Sequence, residues 1–203
     1  MNFLEIAKKA SMHSGLQGEI PSVVTVRGLQ KDLVEMVKAA YTDLQLMRED
    51  WAWLYYSGVF AWQPTTTTFK DPNCHRFLKV TYDSKELRFR EYDYWKDPAT
   101  GVPYTFTIVP ETNAIIVNPV TETFVLNYRA YRKPEELTTN TQIPILPAQF
   151  HYIIVYKAAA DMAGGALGNA DRFSINMARY DMMLGQLMRS KNLSKQIKQR
   201  PIV

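Results

Sequence analysis

The side chains of this chain that could carry chemistry are three histidines, one cysteine, two acidic pairs and a glycine cluster. His13, His75 and His151 lie far apart, and none stands at ligand spacing from another histidine, a cysteine or a carboxylate. Cys74 and His75 are adjacent, which on a strand sends their side chains to opposite faces and keeps them from sharing a metal. A lone thiol excludes an intrachain disulfide framework, suits a reducing compartment and, near a turn, reads as structurally incidental. His151 opens a helix after Gln149 and Phe150 and is expected to cap it or to face an interface. Nothing in the sequence places Glu49-Asp50 or Glu135-Glu136 in the apolar cleft that a catalytic carboxylate needs, so they read as solvated. Gly164-Gly165 and Gly168 fall in or at the end of a helix and do not follow a strand, so the backbone cradle of a phosphate loop is missing. Close helix packing, a kink or a helix end accounts for them. No catalytic, metal-binding or cofactor-binding residue is expected, and no cofactor.

The elements that would hold these residues form an α+β protein. Apolar positions at Phe3, Leu4, Ile6, Ala7 and Ala10 predict a first helix over Asn2 to Met12, followed by a linker from Gly15 to Pro21. A longer helix is expected from about Arg27 to Trp51, with Leu29, Leu33, Val37, Ala40 and Leu44 on one side and Lys31, Asp32, Glu35 and Lys38 on the other. From Leu54 to Arg132 aromatic and β-branched residues predict antiparallel strands. Arg76–Tyr82 and Lys85–Tyr94 flank Asp83-Ser84, Tyr104–Val109 and Ala114–Asn118 flank a turn, and Phe124–Tyr131 closes the set. Pro144 and Pro147 then launch an Ala-rich helix. A last helix runs straight on after Asn169 or Asp171, either of which is an N-cap candidate. The expected organisation is residues 1–53 as N-terminal helices of a bundle, 54–132 as an inserted antiparallel β module, 133–190 as loop and C-terminal helices, and 191–203 as an extended basic tail.

Length and a 46% hydrophobic content allow a sizeable core, and no apolar run is long enough to cross a bilayer. A soluble protein without a secretion signal is expected, with no membrane contact. The formal charge of +4 is unevenly placed. Of 24 cationic residues, five lie between Arg189 and Val203, where there is no Asp or Glu, leaving 19 against 20 carboxylates elsewhere. The body is not basic. Arg88-Phe89-Arg90-Glu91-Tyr92 and Asn127-Tyr128-Arg129-Ala130-Tyr131-Arg132 interleave cations with aromatics, a pattern of single-strand binding faces. On a strand the same pattern is a core face and a wet face, the ordinary state of a half-exposed sheet. A nucleic-acid-binding module therefore stands as the alternative to a protein that works by surface contact.

The order of features resembles the adaptor proteins of tailed bacteriophages. It is carried by the helix ending in Trp51 and Trp53, by Ile115-Ile116-Val117-Asn118-Pro119, and by Tyr128-Arg129-Ala130-Tyr131-Arg132-Lys133-Pro134-Glu135-Glu136-Leu137. Ile143-Pro144 with Phe150-His151, the Ala-rich helix and a final helix bearing Tyr180 complete it, over roughly Leu29 to Arg189. The resemblance implies a structural virion protein at the neck, made in the host cytoplasm. It implies a twelvefold ring docked beneath the portal protein, extending the DNA channel and offering a platform to a downstream nozzle or tail-tube protein. Packaged DNA would pass through the lumen without sequence-specific binding. The tail is the expected portal-binding segment through Lys191, Leu193, Lys195, Ile197, Lys198, Arg200 and Ile202. Alone it is expected to be disordered, since so few apolar residues cannot offset the entropy of ordering.

Overall fold

The computed structural model describes the chain except residues 49, 64, 65, 67, 95–102, 118–122 and 199–203; side chains of residues 94 and 191–198 are likewise not described. The chain gathers into two compact units. One joins Met1–Trp53 to the chain from Pro134 onward, and the other is Leu54–Lys133. The result is an α+β protein with helices toward both termini and a central β region.

The helical unit contains α1 (Phe3–Ser14), α2 (Leu29–Leu46), α3 (His151–Gly164) and α4 (Ala170–Lys198). Asn2 and Glu5 form a reciprocal capping box at the start of α1, and Gly15, at φ 84°, ends the helix in the left-handed conformation that glycine adopts without steric cost. Helix α2 stops at Leu46, short of the expected Trp51. Trp51 folds back, wholly buried, to donate its indole N–H to the Leu44 carbonyl at 2.8 Å, and it stacks on Trp53. The Ala-rich α3 packs against α1, α2 and α4, with Ala158, Ala159, Ala160 and Ala163 fully buried. Its stripped surface thus serves close packing inside the chain. Helix α4 does not run straight on from α3. The turn at residues 165–169, with Gly168 at φ 59°, reverses the chain so that α4 lies back along α3. At Gly164 a Cβ would lie 2.7 Å from the Phe173 ring, so the missing side chain leaves room for that ring of α4. Asn169 caps α4 by accepting from the Arg172 amide at 3.0 Å.

The return segment ties the unit together. Buried Gln45 of α2 donates to the Glu135 carbonyl and accepts from the Glu135 amide, both at 2.9 Å, in the manner of a peptide group in a sheet. The Tyr41 hydroxyl accepts from the Ile145 amide, Asn140 holds the Val23 amide, and the first amides of α1 donate to the carbonyls of Gln142 and Asn140. At the other end of α1, the Arg172 guanidinium and the Asn176 amide, both from α4, donate to the carbonyls of Met12 and His13.

The β unit holds two sheets. One has the order β1–β7–β2–β3, from Tyr55–Trp62, Phe124–Arg132, Cys74–Tyr82 and Lys85–Glu86, all antiparallel. The other has the order β4–β5–β6, from Arg88–Phe89, Thr105–Val109 and Ala114–Val117. Its β4–β5 pair is parallel, which corrects the expectation of a wholly antiparallel module. The expected long strand Lys85–Tyr94 divides because Leu87 turns into the core; the chain pairs with β2 before it and with β5 after it. Both sheets share one core that includes Trp62, Phe77, Val80, Leu87, Phe106, Ile115, Leu126 and Tyr128. Strand β7 alternates strictly, burying Phe124, Leu126, Tyr128 and Ala130 and exposing Val125, Asn127 and Arg129.

Candidate functional site

The groups with chemical potential are engaged in structure. His151 is 1% exposed, so it is neither a surface cap nor an interface group. Its Nε2 lies 2.8 Å from the Leu146 carbonyl, an acceptor, and its Nδ1 lies 2.9 Å from the Met1 ammonium, a donor. That pairing matches the neutral tautomer with its proton on Nε2. Burial, the largest influence, holds its pKa below the ordinary value, and the Met1 ammonium acts in the same direction. His13 sits among α1, α3 and α4, edge-on to Tyr156 at 5.1 Å; burial first and then Arg179, Lys9 and Arg172 depress its pKa. Cys74 is buried, and burial, with Asp71 adding to it, pushes its thiol up to about 11. A protonated buried thiol is a poor nucleophile. Among the described residues no three His, Cys, Asp or Glu side chains gather at metal-binding distance.

Among the described residues Asp71 is a nearly buried carboxylate, 9% exposed, with donors gathered around it. Its Oδ2 accepts from the Tyr56 hydroxyl at 2.5 Å and the Tyr128 hydroxyl at 2.7 Å, while Oδ1 accepts from the Asn73 amide at 2.9 Å. Burial opposes ionisation, but the two phenols, the amide and the nearby Arg132 outweigh it, so the carboxyl titrates below its ordinary value. Both phenols are held protonated far above theirs, by burial first and then by Asp71. With both oxygens occupied by donors, Asp71 ties β1 and β7 to the loop before β2. No signal in the sequence pointed to this triad, because its members are distant in sequence and each is ordinary in its own strand or loop.

One member of each acidic pair has a structural partner, so these two are not simply solvated. Glu135 accepts from the Gln142 amide, and Asp50 pairs with Arg48 at 3.2 Å; Glu49 lies outside the described residues. Arg88, Phe89 and Arg90 are exposed together, because β4 is two residues long and too short to separate two faces.

For the basic C-terminal segment the structure corrects one expectation. Residues 191–198 are not extended but continue the backbone of α4. Between Ala170 and Pro201 the chain has no proline, and Lys, Leu and Gln are good helix formers, so nothing in the sequence stops the helix before Pro201. Lysines in the last turns also suit the negative end of the helix dipole. Lys191, Leu193, Lys195, Ile197 and Lys198 therefore share one helical backbone, while Arg200 and Ile202 lie outside the described residues.

In this α+β chain Gln45, Asp71, Asn140, His151 and Arg172 serve to tie elements together within their own units. The chain belongs to the SU10 adaptor protein family, whose family model matches residues 1–202. It is thus a structural adaptor protein of a bacteriophage, and membership implies contact with portal and tail proteins at the neck of the virion. No curated protein matches the chain. Among the described residues no helix is long and apolar enough to cross a membrane.

Proposed function

We propose that copies of this chain form a ring of twelve beneath the portal protein, extend the DNA channel and present a platform to the downstream nozzle or tail-tube protein. The helical unit is the scaffold and the β unit the platform. Lys191, Leu193, Lys195, Ile197, Lys198, Arg200 and Ile202 supply the portal anchor, whose residues 191–198 continue the backbone of α4. DNA passes through the lumen without sequence-specific contacts, and the work is mechanical, without turnover of a substrate. The observation that supports this most is the reach of the family match, residues 1–202, which takes in both units and the basic end together.

Mass measurement tests it. The full chain mixed with purified portal is expected to give one complex with equal numbers of the two chains, and a chain ending at Arg189 is expected to bind far less. If the full chain stays monomeric beside bare portal, the ring reading fails; if the shortened chain assembles as well as the full one, the anchor lies elsewhere. Salt separates portal from DNA as the target. Binding through several phosphates falls steeply with ionic strength, whereas a helix seated in an apolar groove is expected to weaken most when Leu193 or Ile197 is replaced by Asp.

A further inference from the structure

The outer face of the four-stranded sheet carries an arrangement that neither the core nor the portal anchor uses. Strand pairing sets Ser57, Arg129 and Lys79 in one row across β1, β7 and β2, and Val59, Asn127 and Thr81 in the next. These two rows line a trough of about 410 Å³. Lys79 is there because of a bulge. Register slips between Phe77 and Lys79, so the extra residue Leu78 turns Lys79 outward, where plain alternation from buried Phe77 would turn it in. The consequence is two cations directly opposite each other, a pairing that destabilises a sheet. Glu86 neutralises Lys79 at 2.5 Å, but among the described residues no carboxylate lies within ion-pair distance of Arg129. Beyond it the face turns apolar, with Val59 67% and Val125 50% exposed.

We propose that this trough binds an extended acidic segment of a protein partner, with a carboxylate on Arg129 and an apolar side chain two residues along it on Val59. The spacing follows from the face itself, since neighbouring rows on one face of a strand are two residues apart. A protein segment suits the site better than nucleic acid. One unpaired guanidinium beside valines offers a single charge-assisted bond and an apolar seat, whereas strand-independent binding to DNA needs cations in a line and aromatic faces. The site lies wholly within the β unit and stands apart from the ring: a chain unable to join portal would still bind the segment.

The test uses the full chain labelled with ¹⁵N and three probes: the peptide acetyl-Ser-Glu-Thr-Val-Thr-Val-Ser-amide, the same peptide with Gln for Glu, and a twelve-nucleotide oligothymidylate. The Glu peptide is expected to shift the amide signals of Ser57, Lys79, Asn127 and Arg129, and the Gln peptide to bind about tenfold more weakly, the size of one charge-assisted hydrogen bond. Arg129→Gln is expected to remove the difference between the two peptides, and Arg129→Lys to retain part of it. Equal binding of both peptides to the unaltered chain, or no shift at these amides, overturns the proposal without reliance on any variant. Oligothymidylate shifting the same amides where the Glu peptide does not overturns it in favour of nucleic acid.

Discussion

Two buried titratable groups make the stability of this protein depend on pH in separable ways. Asp71 titrates lower in the folded chain than in the unfolded one, so its contribution is whole above about pH 4, the ordinary carboxylate value, and is lost as pH falls through the lower folded pKa. Asp71→Asn is expected to cost about 2 kcal/mol at neutral pH, since both phenols lose a charged acceptor. It should also flatten the acid limb, as read by urea unfolding across a pH series. His151 has the opposite preference, for its neutral form. Its folded pKa lies below the unfolded one, so the folded chain is most stable above about pH 6.5 and loses stability as pH drops through that value, levelling off only below the folded pKa. His151→Gln is expected to shrink this loss in thermal melts between pH 7 and 5. It will not abolish it, because His13 is depressed in the same direction. Neither Asp71 nor the burial of His151 was legible in the sequence: both depend on partners brought from distant segments, and periodicity places a residue on a face without naming what lies across from it.

At the level of elements, glycines separate tight from tolerant packing. A Cβ on Gly58 would overlap the Tyr128 ring, which its bond to Asp71 holds in place. A Cβ on Gly164 meets the Phe173 ring, which is 40% exposed and free to swing outward. Gly58→Ala is therefore expected to cost about 3 kcal/mol and Gly164→Ala about 1, compared by urea midpoints. The helices were largely readable because their apolar positions recur at three and four residues, and β7 because it alternates. What escaped was where long-range contacts end an element. The Trp51 indole bond to Leu44 closes α2, burial of Leu87 splits the strand after the hairpin, and the absence of a breaker carries α4 to Lys198 against a reading made from charge and the scarcity of apolar residues. Ser194→Pro is expected to shorten α4 and lower helical ellipticity without altering the β unit's near-ultraviolet signal.

For the whole molecule, the division into two compact units implies two cooperative transitions. Gly58→Ala is expected to lower the melting temperature of one transition and leave the other in place, a pattern calorimetry resolves. If both shift together, the units unfold as one. The α+β architecture, with strand-forming sequence bracketed by helical periodicity, was readable from the sequence, because the change of period from 3.6 to 2 marks the insertion at both ends.

The ties at the two ends of α1 carry a consequence for how the chain is made. Its first amides bond to Asn140 and Gln142, and its last carbonyls to Arg172 and Asn176, all contributed by the second half of the chain. A polypeptide leaving the ribosome emits α1 and α2 first, yet neither can close its unit until α3 and α4 have followed. Among the described residues the strand pairs and the core of the β unit all lie within Leu54–Lys133, so this unit can close while the earlier helices still wait. Synthesis and folding thus run in different orders, and the helices made first carry bare apolar faces the longest, the interval in which a nascent chain most needs a chaperone.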